Sequence, residues 1–532
     1  MRVGFTNGAI FTGVANHGLV SHITVTDGVV TSVGSLEPNL DQTIDLLGGF
    51  LMPAFGDGHA HPLFGGYESM GPQIKGSPNL QAVLDEVGRF AAANKHLEWI
   101  VGASYESWHA EGGDFDARWL DAVVPDRPVV LRSNDYHTVW CNTVALEAAG
   151  ITADTPDPEL GWIVRRPDGS PMGTLREWDA VDMVLDKAPQ NSLETMIRGI
   201  EIGSAELAKH GITWVQDAWV EPGMPEAYEE ALRQGRLPLR YNLALRADPR
   251  NWREQLEWFA ATRARVGSTG QLTANTIKIF ADGVIEGHTA ALHEAYADHA
   301  HEHGMPVWQW SEMRDCVIAI DALGFQPHIH AIGDEGLHQA LNAIEAAQKA
   351  NGAASHARPV ITHVQLLDPA DLPRFSKLGV IANFEGLWAC NDQLQRELTA
   401  PRVGSVREMW QYPMASLINS GATLSMGSDW PVSDQNPLKA MGVAVTRKEP
   451  GVANSAAWIP AERLSVQEAL SAYTRGSALQ AGQENVWGQI KVGLSADLVW
   501  LEASPFEVEP ENLGAIRVLA TWLQGKQIYR SN

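Results

Sequence analysis

Six side chains of this 532-residue sequence have the types and positions needed to hold a divalent cation. The first two are His59 and His61, at the end of an apolar run that begins at Phe50 and passes through Pro53-Ala54-Phe55-Gly56-Asp57-Gly58. On a strand, side chains at i and i+2 share a face, so both imidazoles can reach one ion. Gly56 and Gly58 leave backbone room beside them, and Pro62 stops the strand. Alone, the pair is a weak signal that reads more readily as two ordinary strand-end histidines. The later chain adds Lys278, His330, His363 and Asp429, each at the C-terminal end of another strand-like segment. Imidazole and carboxylate suit Zn²⁺, Mn²⁺, Ni²⁺ or Fe²⁺, with zinc the usual choice for hydrolysis at neutral pH.

These positions need a scaffold that gathers strand ends. Buried-type strands alternate with helical stretches, starting at the His-x-His segment and continuing at 212–217, 239–245, 276–280, 326–330, 359–363, 380–384 and 423–429. Helical stretches at 193–210 and 337–351 precede later members of the series. Eight such units match a (β/α)8 TIM-type barrel, whose chemistry sits at the C-terminal ends of its strands. Residues 1–52 and 486–532 have a different texture, short strands with tight turns, of which Asp27-Gly28 is the strongest hairpin signal. Neither end is apolar enough to fold alone, so one small β-sandwich built from both is expected. The barrel is then 53–66 and 191–485. Residues 67–190, with strand candidates at 99–103 and 129–133 and a loop-rich part at 154–170, form an insertion after the first barrel strand, covering the mouth.

Composition narrows the function class. A net charge of −25 argues against non-specific binding to nucleic acid or an anionic membrane. Three widely spaced cysteines make neither a disulfide framework nor a cysteine zinc site. No apolar run is long enough to span a bilayer, and a cytoplasmic protein is expected. A homodimer is the default for a soluble enzyme. The nineteen tryptophans permit an aromatic-lined pocket.

The motifs together resemble the amidohydrolase superfamily of metal-dependent hydrolases. The branch they are similar to is amidohydrolase-3, which includes YtcJ-like proteins and N-substituted formamide deformylases. The matching stretches are Gly58–His61, Ile277–Gly283, His330–Asp334, Thr362–Gln365 and Gly427–Val432, with weaker matches at Arg132–Asn142, Gly173–Glu177, Trp388 and Gly493–Leu498. The resemblance implies that His59 and His61 bind a buried metal, and His330 and His363 a more exposed one. It implies that Lys278 bridges them and that Asp429 ligates the buried ion and serves as general base, then acid. A protonated lysine cannot ligate a cation, so the bridge would be a carboxylated lysine formed with CO₂. Without carboxylation the fallback is a single metal.

The expected reaction is cleavage of a C–N bond in a small N-substituted amide, with formamides the most concrete substrate. The alternatives are a deaminase or cyclic-amide hydrolase on the same scaffold, or a regulatory or binding homologue of low activity. His137, Glu177, Trp178 and Trp388 lie in segments that resemble the family and are candidate substrate contacts. Trp108, Trp140, Trp178, Trp219 and Trp388 all fall in expected loops near the mouth. Two clusters have simpler readings. The run Asp298–His303 reads as a solvated loop, and His328, two residues below His330, as a hydrogen-bonded core histidine.

Overall fold

The computed structural model describes residues 1–14, 18–267, 269–352 and 358–531. Its centre is a parallel sheet of eight strands. They are β1 (Phe55–Ala60), β2 (Ile212–Val220), β3 (Arg240–Arg246), β4 (Leu272–Phe280), β5 (Gln326–Ala331), β6 (Val360–His363), β7 (Ile381–Glu385) and β8 (Thr423–Gly427). Each is hydrogen-bonded in parallel to the next. At the mouth, the Ser428 and Asp429 amides donate to the His59 carbonyl at 3.2 and 2.7 Å and bring the ends of β8 and β1 together. Gly427 makes this approach possible, since a Cβ there would lie 2.7 Å from the His59 nitrogen. β1, β6 and β7 are buried along their whole length, as expected for parallel strands covered on both faces. The expected TIM-type barrel is therefore present.

Helices pack outside. Leu193–Lys209 leads into β2 and is capped by Ser192, whose hydroxyl accepts the Thr195 amide at 3.1 Å. Asp334–Asn351 follows β5 with Asp334 and Glu335 in its first turn, where negative charge suits the helix dipole.

The segment between β1 and β2 carries its own five-stranded sheet. The spatial order is Trp162–Arg165, Pro171–Arg176, Thr138–Cys141, Val129–Ser133 and Ile100–Tyr105. Trp162–Arg165 lies within the stretch read as loop-rich; as a short edge strand with one buried residue it gives little periodic signal. Trp140 does not stand at the mouth. It is fully buried in Thr138–Cys141, 5.0 Å from the Phe115 ring, with its indole N–H donating to the Asp116 carbonyl at 3.0 Å. A strand buried on both faces shows no alternation, which is why it passed for loop. The helix Pro62–Met70 runs across the expected junction at 66/67.

Both ends of the chain meet in two sheets. One contains Val29–Val33, Ile23–Thr26, Arg2–Thr6 and Gln42–Asp45; the other contains Ala9–Ile10, Phe50–Pro53, Leu498–Leu501, Val518–Leu523 and Lys526–Arg530. Asp27 and Gly28 both take positive φ (48° and 83°), as a type I′ hairpin requires. Phe5, Leu51, Trp500 and Trp522 share the core between the sheets. A buried ion pair between Arg240 at the start of β3 and Asp497 ties this unit to the barrel. All three cysteines are free and buried. Among the described residues no helix is long and apolar enough to cross a membrane.

Candidate metal centre

The strand ends bring the expected side chains to one place. His59 ends inside the barrel on β1, and His61 lies one residue past the strand, at the cap of Pro62–Met70. The imidazole centroids are 5.2 Å apart for His59 and His61, 4.9 Å for His59 and His363, and 4.6 Å for His330 and His363. Lys278 Nζ lies 3.5 Å from His59 Nε2. Asp429 Oδ1 lies 2.8 Å from His61 Nε2 and 3.5 Å from His59 Nε2. All six residues are buried. His363 (φ 73°) and Asp429 (φ 51°) hold left-handed backbone conformations just where their strands end, strain of the kind that collects at functional sites.

Burial sets the protonation states. It drives His59 and His330 well below the ordinary histidine range, helped by the neighbouring Lys278 and His363. It takes His363 to about 3 despite the attraction of Asp429. It lowers the Lys278 ammonium to about 7, against the opposing pull of Asp429 and Glu385. For Asp429 burial works upward, but the contact with His61 and the charges of His61, His363 and Lys278 outweigh it, and the carboxyl sits below its usual range. The mouth therefore presents the neutral imidazoles of His59, His330 and His363, an amine that is half free base near neutrality, and a carboxylate.

This donor set fits a divalent cation. The ligand atoms of His59, His61 and Asp429 all lie within 4.8 Å of one another. Buried His61 Nδ1 has no hydrogen-bond partner within the protein, and Asp429 Oδ1 has only the close approach of His61 Nε2; buried polar atoms left this way ask for a ligand.

Around the cluster lies a layer in which the sequence points only to His328. Glu385, fully buried at the end of β7, has Oε2 2.8 Å from His363 Nδ1. His328, also fully buried, has Nε2 2.8 Å from His59 Nδ1, as a hydrogen-bonded core histidine should. Asp57 accepts from the Ser428 hydroxyl (2.6 Å), the Ser428 amide (3.0 Å) and the His59 amide (3.2 Å), locking β1 to the end of β8. Asp282 accepts three backbone amides, from Ala291, Ile332 and Gly333, and so serves the loops. A glutamate closing the apolar run Ile381-Ala382-Asn383-Phe384 was the available signal for Glu385.

The substrate-contact candidates divide. His137, Glu177 and Trp178 line a cavity of about 1030 Å³ that runs between the insertion and the barrel mouth. His137 Nδ1 is 2.8 Å from Glu177 Oε2, and its ring is 5.7 Å from that of His330. Glu177 has a positive φ (61°), and its amide also donates to the His137 carbonyl at 2.8 Å, so both its backbone and side chain hold His137. Trp178 packs on Phe280 (4.5 Å) and Trp219 (5.3 Å). Trp388 instead lies flat against His363, 5.3 Å away with 2° between planes, outside the cavity wall. In the polar run after β4, Asp298 pairs with His288 (2.9 Å) and His299 (3.4 Å) at a partly exposed position, with Arg402 3.9 Å away.

The family model for the amidohydrolase family matches residues 42–529. The chain belongs to that family. This amidohydrolase is 28% identical to YtcJ of Bacillus subtilis (strain 168) over 100% of both chains. It is 26% identical to the N-substituted formamide deformylase of Arthrobacter pascens, over 94% of this chain and 92% of that one. Among solved structures, an uncharacterized metal-dependent hydrolase from Pyrococcus furiosus has the same fold, with TM-score 0.74 and 24% identity over 95% of this chain and 100% of that chain. Family membership makes the amidohydrolase a hydrolase.

Proposed function

We propose that this amidohydrolase cleaves the C–N bond of a small N-substituted amide, with formamides the leading substrate class. In this reading His59, His61 and Asp429 hold a buried divalent cation, zinc by the usual preference, and His330 with His363 hold a second. The observation that carries the reading is the convergence on one buried mouth of four imidazoles, Lys278 and an ionised Asp429 whose Oδ1 reaches both His61 Nε2 and His59 Nε2. When bound, the cation supplies Lewis acidity and brings water ionisation within reach at neutral pH. Lys278 is assigned as a carboxylated bridge: burial leaves a fraction of its amine unprotonated near pH 7, so its nitrogen can add to CO₂ and release a proton.

The remaining work belongs to side chains. Asp429 Oδ1 takes a proton from the attacking water and hands it to the leaving amine nitrogen. His137, fixed through Nδ1 by Glu177, is assigned to contact the substrate, while Trp178 forms an apolar wall and Trp388 steadies the His363 ring. The division into a terminal β-sandwich (1–52 and 486–532), a barrel (53–66 and 191–485) and a lid (67–190) belongs to the same proposal. It is supported by the lid's donation of His137, Glu177 and Trp178 to the cavity wall.

The test is Asp429→Asn. The variant should remain folded and lose several orders of magnitude in kcat on a formamide panel; near-normal turnover sinks the assignment. Product analysis separates the alternatives, since amide cleavage yields a substituted amine with an acid, whereas deamination yields ammonia.

A further inference from the structure

The cavity beside the mouth contains a guanidinium with no ion-pair partner in contact. Arg246 in its wall is neutralised by Glu221, with Nη1 to Oε1 at 2.8 Å. Glu177 is taken by His137, and Glu68 by the hydroxyls of Ser104 and Tyr136. Arg132, from the strand Val129–Ser133, has no such partner. Its guanidinium donates once, from Nη1 to the Tyr136 carbonyl at 3.0 Å, and lies over the Tyr136 ring at 5.4 Å. Among the described residues no carboxylate oxygen comes within 4.0 Å of it. Asp182 shares the wall and attracts both Arg246 and Arg132 through space, but it makes an ion pair within 4.0 Å with neither. Glu98 and Asp186 line the same cavity but are exposed and solvated. A guanidinium stays charged at any physiological pH, and a shielded cation without a directly bonded counter-ion is costly. A second donor is unused nearby: Trp178 is only 7% exposed, and its indole nitrogen has no partner.

We propose that Arg132 is the recognition site for a carboxylate on the substrate, so that the enzyme acts on amides that also carry an acid group away from the scissile bond. The planar fork of arginine matches a carboxylate in two-pronged fashion. A row of packed rings separates Arg132 from the mouth: Tyr136, then Phe64 at 6.0 Å from it, then His61 at 5.8 Å from Phe64. A spacer that crosses this aromatic pair must therefore separate the acid from the amide. Trp178 Nε1 is free to donate to a further oxygen of the same molecule.

The inference rests on the amide-hydrolase reading, and its test separates the two. N-formyl-6-aminohexanoate and N-formylhexylamine differ in the terminal carboxylate. Wild-type holoenzyme should favour the acid at least about 10-fold in kcat/KM through KM, and Arg132→Met should bring the ratio close to unity, since hydrogen bonds to charged groups contribute about 1.5–3 kcal/mol. Arg132→Lys, which keeps the charge without the fork and guards against a folding failure in the first variant, should retain only part of the preference. Calorimetry supplies a readout without turnover. Hexanoate should bind the metal-loaded wild type more tightly than hexanamide, and that difference should vanish in Arg132→Met. If the variant binds hexanoate like the wild type, or the substrate ratio is unmoved by either variant, the carboxylate site is refuted while amide hydrolysis stands. If no amide is turned over but the calorimetric difference depends on Arg132, the site stands and the reaction assignment falls.

Discussion

Replacing Glu385 with leucine tests the proposed ligand set from behind. Glu385 Oε2 lies 2.8 Å from His363 Nδ1, and both side chains are almost wholly shielded from solvent. Water therefore cannot replace the lost acceptor, and the ring loses the contact that fixes which nitrogen stays free for a cation. In the metal-free protein burial and the charge of Asp429 push the Glu385 carboxyl well above its ordinary range; a bound cation reverses that local balance and favours the ionised form. Partners of this kind typically contribute 10–100-fold to metal affinity, or about 1.4–2.7 kcal/mol. Chelator competition at neutral pH should therefore show Glu385→Leu binding zinc about 10–100-fold more weakly than wild type. Glu385→Gln, which keeps an oxygen able to accept from Nδ1–H, should fall between them. A leucine variant that holds zinc as tightly as wild type would refute either the role of Glu385 or that of His363 as a ligand.

Three further outcomes are expected. Metal loading in the presence of bicarbonate should decline as pH falls from about 8 to about 6, because the Lys278 amine, lowered to about 7 by burial, regains its proton there and cannot add to CO₂. His59, His330 and His363, all held below their ordinary range, remain neutral through that window, and Lys278→Met should abolish the bicarbonate dependence of measured metal content. Removing one partner of the buried Arg240–Asp497 pair, as in Arg240→Met, leaves an unpaired charge inside and should destabilise the fold by about 3–5 kcal/mol in urea unfolding. Trp140→Ala should cost about 3–5 kcal/mol through the cavity it opens among Tyr105 and Phe115, visible as a lower Tm with little change in kcat.

The barrel was readable because parallel strands leave a signature that survives in one dimension: apolar runs such as 50–55 and 359–362, each followed at the strand end by a histidine. Asp27-Gly28 was readable because few other dipeptides take two positive φ angles in succession. Glu385 escaped notice because the one local hint, a glutamate closing an apolar run, gains its meaning only from the neighbour across the sheet, His363. Arg132 was seen only as part of a motif, since whether an arginine is paired depends on what the folded chain puts within reach. Trp140 misled for the opposite reason, a buried strand with no polar face to betray it.

The sheet that unites the two ends of the chain also imposes an order of events. Met52 pairs with Val499 and Leu51 with Trp500, partners about 450 positions apart along the polypeptide. During synthesis the strand Phe50–Pro53, apolar on both faces, must wait for nearly the whole barrel to be translated before its edge is covered. Loop closure on that scale makes such pairing late and slow, so the nascent chain passes through a stage with a sticky, unpaired edge where chaperones would find purchase.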